Sequence, residues 1–293
     1  MRVACIGEAM IEMSLDGDAA SIAVAGDTLN TAVYLKRSAP EVDVDYITRL
    51  GADPMSDRIR GFIASEEIGT ERIGTDPVGV PGLYAISLSD EGERSFTYWR
   101  SASAARGMFA DRDFSTLEGY DLIYLSGISM AILPHRVRLA LVEYLRNCPA
   151  KIAFDSNHRQ RLWNESDARQ ITSEFWSFCD IPLPSIDDEM ALFEETSEAV
   201  EARCRGMHGL GALKHGASGP LSIGEPIQQS YSAAETVVDT TAAGDSFNGG
   251  YLAARLRQSQ QADALRAGHE LAARVVGYRG AIIPKNAMQD QTR

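Results

Sequence analysis

A short run of small residues beside an aspartate is the strongest chemical signal in this sequence. Ala242, Ala243 and Gly244 follow an apolar strand end and open a predicted helix at residues 244–257. Backbone N–H groups at a helix N-terminus lack partners within the helix and attract anions. The carboxylate of Asp245 could therefore take the proton from a hydroxyl group that attacks a bound anion. A structural alternative stays open, because an aspartate in a first turn also suits the helix dipole.

Several common phosphate-binding and catalytic motifs are absent from the sequence. None of the lysines completes the G-x-x-x-x-G-K-[ST] loop of the P-loop nucleoside triphosphatases. No G-x-G-x-x-G follows the first predicted strand, so a dinucleotide-binding unit is unsupported there. The motif H-E-x-x-H, the nucleophile elbow G-x-S-x-G and the kinase H-R-D loop are also missing. Several large enzyme classes are thereby excluded.

The elements that must position these residues alternate along the chain. Short β-branched runs and longer amphipathic runs take turns, which is typical of a parallel sheet covered by helices. No repeat and no linker interrupts the pattern, which predicts a single α/β domain over residues 1–293. The predicted strands are 3–6, 44–47, 122–125, 152–154, 181–183 and 210–213, and the predicted helices are 28–37, 54–68, 134–146, 166–178, 187–193, 244–257 and 261–276.

One segment has a different hydrophobic pattern. Residues 83–88 and 94–99 alternate apolar and polar side chains on either side of Asp90, Glu91 and Gly92. This pattern predicts a β-hairpin that stands apart from the parallel sheet.

Composition limits the partners. The 293 residues are 44% hydrophobic and 24% charged, which predicts a globular chain with a sizeable core. The net charge of −13 argues against a nucleic-acid partner, and an anionic ligand would need local Arg, Lys or backbone N–H groups. The four cysteines are scattered, and we expect them to be buried thiols in a reducing cytoplasm. Neither a signal peptide nor a membrane span is predicted, since the longest near-apolar run, 122–133, is too short.

Residues 239–247, D-T-T-A-A-G-D-S-F, resemble the C-terminal signature of the ribokinase-like (PfkB) carbohydrate kinases. Residues 26–30, G-D-T-L-N, resemble the sugar-binding segment near the N-terminus of that family. Similarity to its 2-keto-3-deoxygluconate kinase branch is spread over 82–84, 98–100, 125–129, 154–163 and 280–284. The resemblance implies a three-layer α/β sandwich with a central, mostly parallel sheet. It also implies a small β lid built from about 8–24 and 78–100.

The resemblance further implies the activity and its residues. The γ-phosphoryl group of ATP would pass to the 6-hydroxyl of 2-keto-3-deoxygluconate, with Mg²⁺ bridging the phosphates. Arginine suits the carboxylate of that sugar acid, because its planar fork matches two oxygens. Catalysis would fall to Asp245 with Ala242, Ala243 and Gly244; the sugar would be bound by Gly26, Asp27, Asn30, Tyr84, Tyr98, Arg100, Arg159 and Asp245; and ATP would be bound by Asn157, Lys214, Gly216, Ala217, Gly219, Gly244 and Ser246.

The sequence departs from the family pattern at two places. Ser185 and Asp188 stand where the family commonly has N-x-x-E, an element that influences the metal, and Ala25 replaces a frequent glycine. Two alternative functions stay open: a kinase of the same family for a neutral sugar such as fructose, and a sugar sensor that has lost turnover. The resemblance also implies a lid that closes to exclude water and a homo-oligomer that forms through the lid.

Overall fold

Strands and helices alternate along the chain in the computed structural model, which describes residues 1–88 and 94–288. The strands are β1 (Arg2–Ile6), β2 (Met10–Asp16), β3 (Ala19–Ala25), β4 (Asp43–Ile47), β5 (Arg49–Gly51), β6 (Gly74–Asp76), β7 (Gly82–Leu88), β8 (Arg94–Trp99), β9 (Leu122–Ser126), β10 (Lys151–Asp155), β11 (Ile181–Pro182), β12 (Gly211–Leu213) and β13 (Leu221–Ile223). The α-helices are α1 (Asp27–Ser38), α2 (Pro54–Ser65), α3 (Gly127–Ile132), α4 (His135–Asn147), α5 (Glu165–Phe178), α6 (Ile186–Phe193), α7 (Ser197–Arg205), α8 (Ala243–Leu256) and α9 (Gln261–Val275).

The central sheet is parallel and has the strand order β11-β10-β9-β1-β4. In its register Ile6 pairs with Leu125 and Ile47, and Leu125 pairs with Phe154. The carboxyl ends of four strands therefore lie at one edge, where ligand sites of open α/β sheets occur.

Both faces of this sheet are covered, as the alternation of β1 shows. Val3 and Cys5 belong to one apolar cluster, together with residues of α1, α2, α8 and α9. Ala4 and Ile6 belong to a second cluster, together with residues of α3, α4 and α5. This arrangement confirms the predicted α/β sandwich.

A second sheet stands apart, with the order β3-β2-β7-β8. β2 pairs antiparallel with β3 and parallel with β7, and β7 pairs antiparallel with β8. These strands come from the segments predicted to form the lid, and we call them the lid sheet. The turn predicted at Asp90, Glu91 and Gly92 lies outside the described residues.

Three of the differences from the predicted elements concern helices. α2 ends at Ser65 and not at residue 68, because Glu67 has a φ of 58°, which an α-helix cannot contain. α3 was not predicted, and it begins with a reciprocal capping box between Ser126 and Ser129. α7 was also not predicted; Thr196 caps its first turn. Across residues 1–88 and 94–288, no helix combines the length and the apolarity that a membrane span requires.

Candidate active site

The N-terminus of α8 lies on a turn that Asp239 fixes. The Asp239 carboxylate accepts hydrogen bonds from the backbone N–H of Thr241 (3.0 Å) and of Gly280 (2.7 Å). Ala242 has a left-handed φ of 59°, and no side chain caps the helix. The N–H groups of Gly244 and Asp245 in the first turn have no acceptor within the helix, so they are available to an anion.

Two residues predicted to act in this turn form hydrogen bonds within it. The N–H of Ala243 donates to the carbonyl oxygen of Thr240 (3.2 Å), so it is not an uncovered donor. The hydroxyl of Ser246 donates to the carbonyl oxygen of Ala243 (3.0 Å), and the residue is fully buried. The Ser246 side chain therefore stabilises the helix start, and its contact with a nucleotide stays a prediction.

The Asp245 carboxylate is held by α1. Its Oδ2 accepts a hydrogen bond from Asn30 Nδ2 (2.8 Å), and its backbone oxygen accepts one from Thr31 Oγ1 (3.2 Å). α1 and α8 approach closely because Gly249 lacks a side chain; a Cβ there would lie 2.9 Å from the backbone nitrogen of Leu35. A glycine contact thus brings the predicted sugar segment to the predicted base.

Burial raises the pKa of Asp245 to about 8. The neighbouring carboxylates of Asp27 and Asp155 contribute to this rise, whereas the Asn30 hydrogen bond and the Lys214 ammonium oppose it. A general base works best when its pKa lies near the operating pH. Asp245 therefore has the proton affinity of a base that works near neutrality.

A buried charge network lies next to this carboxylate. Lys214 Nζ lies 2.8 Å from Asp155 Oδ2 and 3.3 Å from Asn248 Oδ1, and Asn248 Nδ2 donates to Asp155 (2.6 Å). A Cβ on Gly244 would lie 3.8 Å from the same ammonium. The start of α8 therefore combines N–H groups that have no acceptor within the helix with a fixed cation, which suits a phosphate.

Sequence reasoning named Lys214 but not its partners. Asp155 ends β10 at the carboxyl edge of the sheet, and this position is the signal that could have found it. Asn248 lies one turn after Asp245 on the same helix face, among small and apolar residues.

The predicted sugar segment adjoins a residue predicted to bind the nucleotide. Asp27 Oδ2 accepts a hydrogen bond from Asn157 Nδ2 (2.8 Å) and another from the Ser126 hydroxyl. Gly26 has a φ of 153°, and a Cβ there would lie 2.3 Å from the carbonyl oxygen of Glu8. Gly26 is therefore required where the lid and the core meet.

The two predicted tyrosines lie on the lid sheet. The Tyr84 hydroxyl donates to the Glu12 carboxylate, and burial raises the pKa of that hydroxyl well above its usual range. The rings of Tyr84 and Tyr98 are 5.6 Å apart, and the Tyr98 side chain is 49% exposed. The two rings together form an aromatic surface on the lid sheet.

The two predicted arginines have separate acidic partners. Arg100, which follows β8, forms an ion pair with the buried Glu8 carboxylate. Arg159 Nη1 donates to the carbonyl oxygen of His158 (2.7 Å) and lies 3.5 Å from Asp188 Oδ1. Burial raises the pKa of Asp188, which reaches about 6 although the Arg159 guanidinium opposes the rise. That both arginines face one substrate carboxylate stays a prediction.

The predicted nucleotide turn connects β12 to β13. Gly216 and Gly219 have left-handed φ values of 53° and 83°. Gly216 and Ala217 are exposed, and a Cβ on Gly216 would meet no atom within 4 Å. A Cβ on Gly219 would instead lie 2.3 Å from the ring of Tyr231. Gly216 and Ala217 are open to a ligand, whereas Gly219 is also required by packing.

The acidic groups fit a metal ion that arrives with the nucleotide. In the described part of the chain, no three His, Cys, Asp or Glu side chains cluster as metal ligands. Mg²⁺ is commonly held by substrate phosphates and only one or two carboxylates. Asp188, at the position of the family's acidic residue, is the candidate protein ligand.

Comparisons with known proteins cover nearly the whole chain. The sequence pattern described as "pfkB family carbohydrate kinase" matches residues 1–288. The chain is 42% identical to a 2-dehydro-3-deoxygluconokinase of Dickeya dadantii and 39% identical to that of Escherichia coli K12, each over 98% of both chains. Its fold is similar to the crystal structure of a 2-dehydro-3-deoxygluconokinase from Thermotoga maritima, with a TM-score of 0.81, 18% identity, and 99% of this chain and 98% of that chain covered.

Proposed function

Because the chain belongs to the pfkB family of carbohydrate kinases, we propose that it phosphorylates 2-keto-3-deoxygluconate, also named 2-dehydro-3-deoxygluconate. The γ-phosphoryl group of ATP passes to the 6-hydroxyl of the sugar acid, giving 2-keto-3-deoxy-6-phosphogluconate and ADP. The observation that carries this proposal is the Asp245 carboxylate, with its pKa of about 8, beside the Gly244 N–H at the start of α8 and near the Lys214 ammonium.

The reaction follows from these groups. Asp245 takes the proton of the 6-hydroxyl while that oxygen bonds to the γ-phosphorus. The bond from this phosphorus to the oxygen bridging the β-phosphate breaks, and ADP leaves. The N–H groups of Gly244 and Asp245 and the Lys214 ammonium stabilise the negative charge on the transferring group.

Nucleotide and metal would occupy the edge beside this turn. Gly216 and Ala217 lie against the nucleotide, and Asn157 lies between the two substrates through its bond to Asp27. When bound with the nucleotide, Mg²⁺ would supply charge neutralisation. Asp188 would hold this ion directly or through water.

The substrate carboxylate would be bound mainly by Arg159. Its side chain is 54% exposed and only loosely paired with Asp188, so the guanidinium can rotate to a ligand. Arg159→Gln should raise KM for 2-keto-3-deoxygluconate about 10-fold or more, since a hydrogen bond to a charged group is lost. Arg159→Lys should restore part of the loss, and a neutral sugar should be unaffected by either change.

The lid sheet is proposed to close over the sugar and to pair between subunits of a cytoplasmic homo-oligomer. Phe96, Tyr98 and Trp99 of β8 are exposed, which suits contact with the sugar or with a second subunit. The four cysteines are free thiols, which suits a reducing compartment.

A substrate panel tests the function. ADP release should be measured with 2-keto-3-deoxygluconate, its galactonate epimer and fructose, each with ATP and Mg²⁺. We expect the highest kcat/KM with a 2-keto-3-deoxy sugar acid. A higher value with fructose would establish the neutral-sugar kinase, and no ADP release with any sugar would favour the sensor.

A further inference from the structure

A buried ion pair at the base of the lid sheet leaves two of its polar atoms without a hydrogen bond in the described chain. Glu8 follows β1, Arg100 follows β8, and their side chains are 1% and 12% exposed. One carboxylate oxygen of Glu8 pairs with Arg100 Nη2. Among residues 1–88 and 94–288, the other oxygen, Oε1, finds no hydrogen-bond partner, and neither does Arg100 Nε. Buried charged groups seldom leave such atoms unpaired, because the lost hydration is costly.

The pair lies beside the predicted sugar segment. A Cβ on Gly82 would lie 2.5 Å from Glu8 Oε1 and 3.2 Å from the Arg100 side chain. Gly26 lies against the Glu8 backbone, since a Cβ on Gly26 would clash with the Glu8 carbonyl oxygen. Asp27 is the next residue after Gly26. Asn30 Oδ1, next to Asp245, is a third buried polar atom without a partner in the described chain. Two acceptors and one donor are thus left unpaired around the predicted sugar site.

The unpaired atoms match a sugar better than a carboxylate. Glu8 Oε1 is an acceptor, so it suits a hydroxyl group and repels an anion. Glu8 also neutralises Arg100, so the guanidinium offers Nε to an oxygen without attracting net negative charge. A molecule with a hydroxyl near a carbonyl oxygen would satisfy both atoms.

We propose that Glu8 is a specificity residue, whose Oε1 accepts a hydrogen bond from a sugar hydroxyl other than the one that is phosphorylated. This inference rests on the proposed function and extends it. Arg100 then binds a neutral oxygen of the substrate through Nε, and the charge of the substrate carboxylate falls to Arg159.

Kinetics with substrate analogues test this role. Wild type, Glu8→Gln and Glu8→Asp should be assayed with 2-keto-3-deoxygluconate and with analogues that lack the hydroxyl at C4 or at C5. A hydrogen bond to a charged group corresponds to roughly 10- to 150-fold. We expect wild type to lose about that factor in kcat/KM on one analogue. With the parent sugar, Glu8→Gln should have a kcat/KM lower than wild type by about the same factor, mostly through a higher KM. This variant should then use the parent sugar and that analogue equally well.

Glu8→Asp keeps the charge that Arg100 needs but shortens the side chain by one methylene. It should also lose the discrimination, and it keeps the test valid if Glu8→Gln unfolds. A matched control is Glu66→Gln, which breaks another buried ion pair, Arg37–Glu66 at 2.8 Å, outside the site. This control should unfold at a lower temperature and keep the wild-type preference between parent and analogues.

The outcomes separate the two proposals. Equal losses on the parent and on both analogues in the Glu8 variants would show that Glu8 only joins the lid to the core. Glu8 variants that still discriminate between the parent sugar and the analogue as wild type does would also overturn the proposed role of Glu8. A wild type that phosphorylates a different sugar would overturn the proposed function, and the same deoxy-analogue comparison on that sugar would decide the role of Glu8.

Discussion

At the scale of single residues, the proposed chemistry depends on Asp245. Asp245→Asn should lower kcat by about 10² to 10⁴, because the amide cannot take a proton. Binding of ATP and of the sugar, measured by calorimetry, should persist. A matched control is Asp263→Asn, which also removes an acid from a first helical turn, in α9. The control should keep its kcat; a near-normal kcat for Asp245→Asn would leave Asp245 only its favourable interaction with the helix dipole.

The raised pKa of Asp245 also predicts two pH dependences. Its ordinary value is 3.8 and its value in the folded chain is about 8, so folding favours the protonated carboxyl. The stability that it contributes is complete below about pH 4 and is lost as pH rises towards 8. Relative to wild type, Asp245→Asn should therefore gain a few degrees in Tm between pH 5 and 8.

Activity should change in the opposite direction. Because only the ionised carboxyl accepts a proton, kcat/KM for the sugar should rise with pH, reach half of its maximum near pH 8 and level off above it. Thermal unfolding and initial rates across this range check both trends. A constant Tm difference between variant and wild type would contradict the raised pKa.

At the scale of elements, the two glycines of the turn between β12 and β13 should have different roles, Gly216 in nucleotide binding and Gly219 in packing. Gly216→Val should raise KM for ATP much more than KM for the sugar, because the added side chain occupies the exposed approach to the turn. Gly219→Val should mainly lower Tm, because its Cβ would collide with Tyr231.

Backbone strain alone could also raise KM for ATP in Gly216→Val. The control glycine must therefore have the same left-handed backbone conformation. Gly17 has a φ of 57° and open space around its Cβ position, in the turn between β2 and β3. Gly17→Val should leave KM for ATP unchanged. Equal KM increases for both substrates in Gly216→Val would place this turn away from the nucleotide.

The elements themselves were largely predictable, and the details of the site were not. Hydrophobic periodicity identified the five central strands and the long helices, because burial on a sheet or helix face leaves a direct pattern. α3 was not predicted because its short apolar run continues that of β9. The partners of Lys214 escaped because Asp155 and Asn248 come from distant elements, and no local pattern encodes such a meeting. The pairing of Arg100 with Glu8 was hidden for the same reason.

At the scale of the whole molecule, the exposed aromatic residues of the lid sheet predict assembly. If subunits pair through this sheet, Trp99→Asp should lower the particle mass measured by light scattering, because Trp99 is 57% exposed and a buried charge is costly. Leu139→Asp, on the exposed side of α4, is the control and should keep the wild-type mass. An unchanged mass for Trp99→Asp, with wild type oligomeric, would place the interface elsewhere.

The contact between α1 and α8 also constrains how the chain is made. Asn30 and the Asp245 that it binds are 215 residues apart in sequence. At about 5–20 residues per second, a ribosome needs roughly 10 to 40 seconds to make the intervening chain. During that time the face of α1 that carries Thr31 and Leu35, both fully buried in the finished fold, has no α8 to cover it. This face of α1 therefore stays without its partner until α8 has been made, and the site is completed only then.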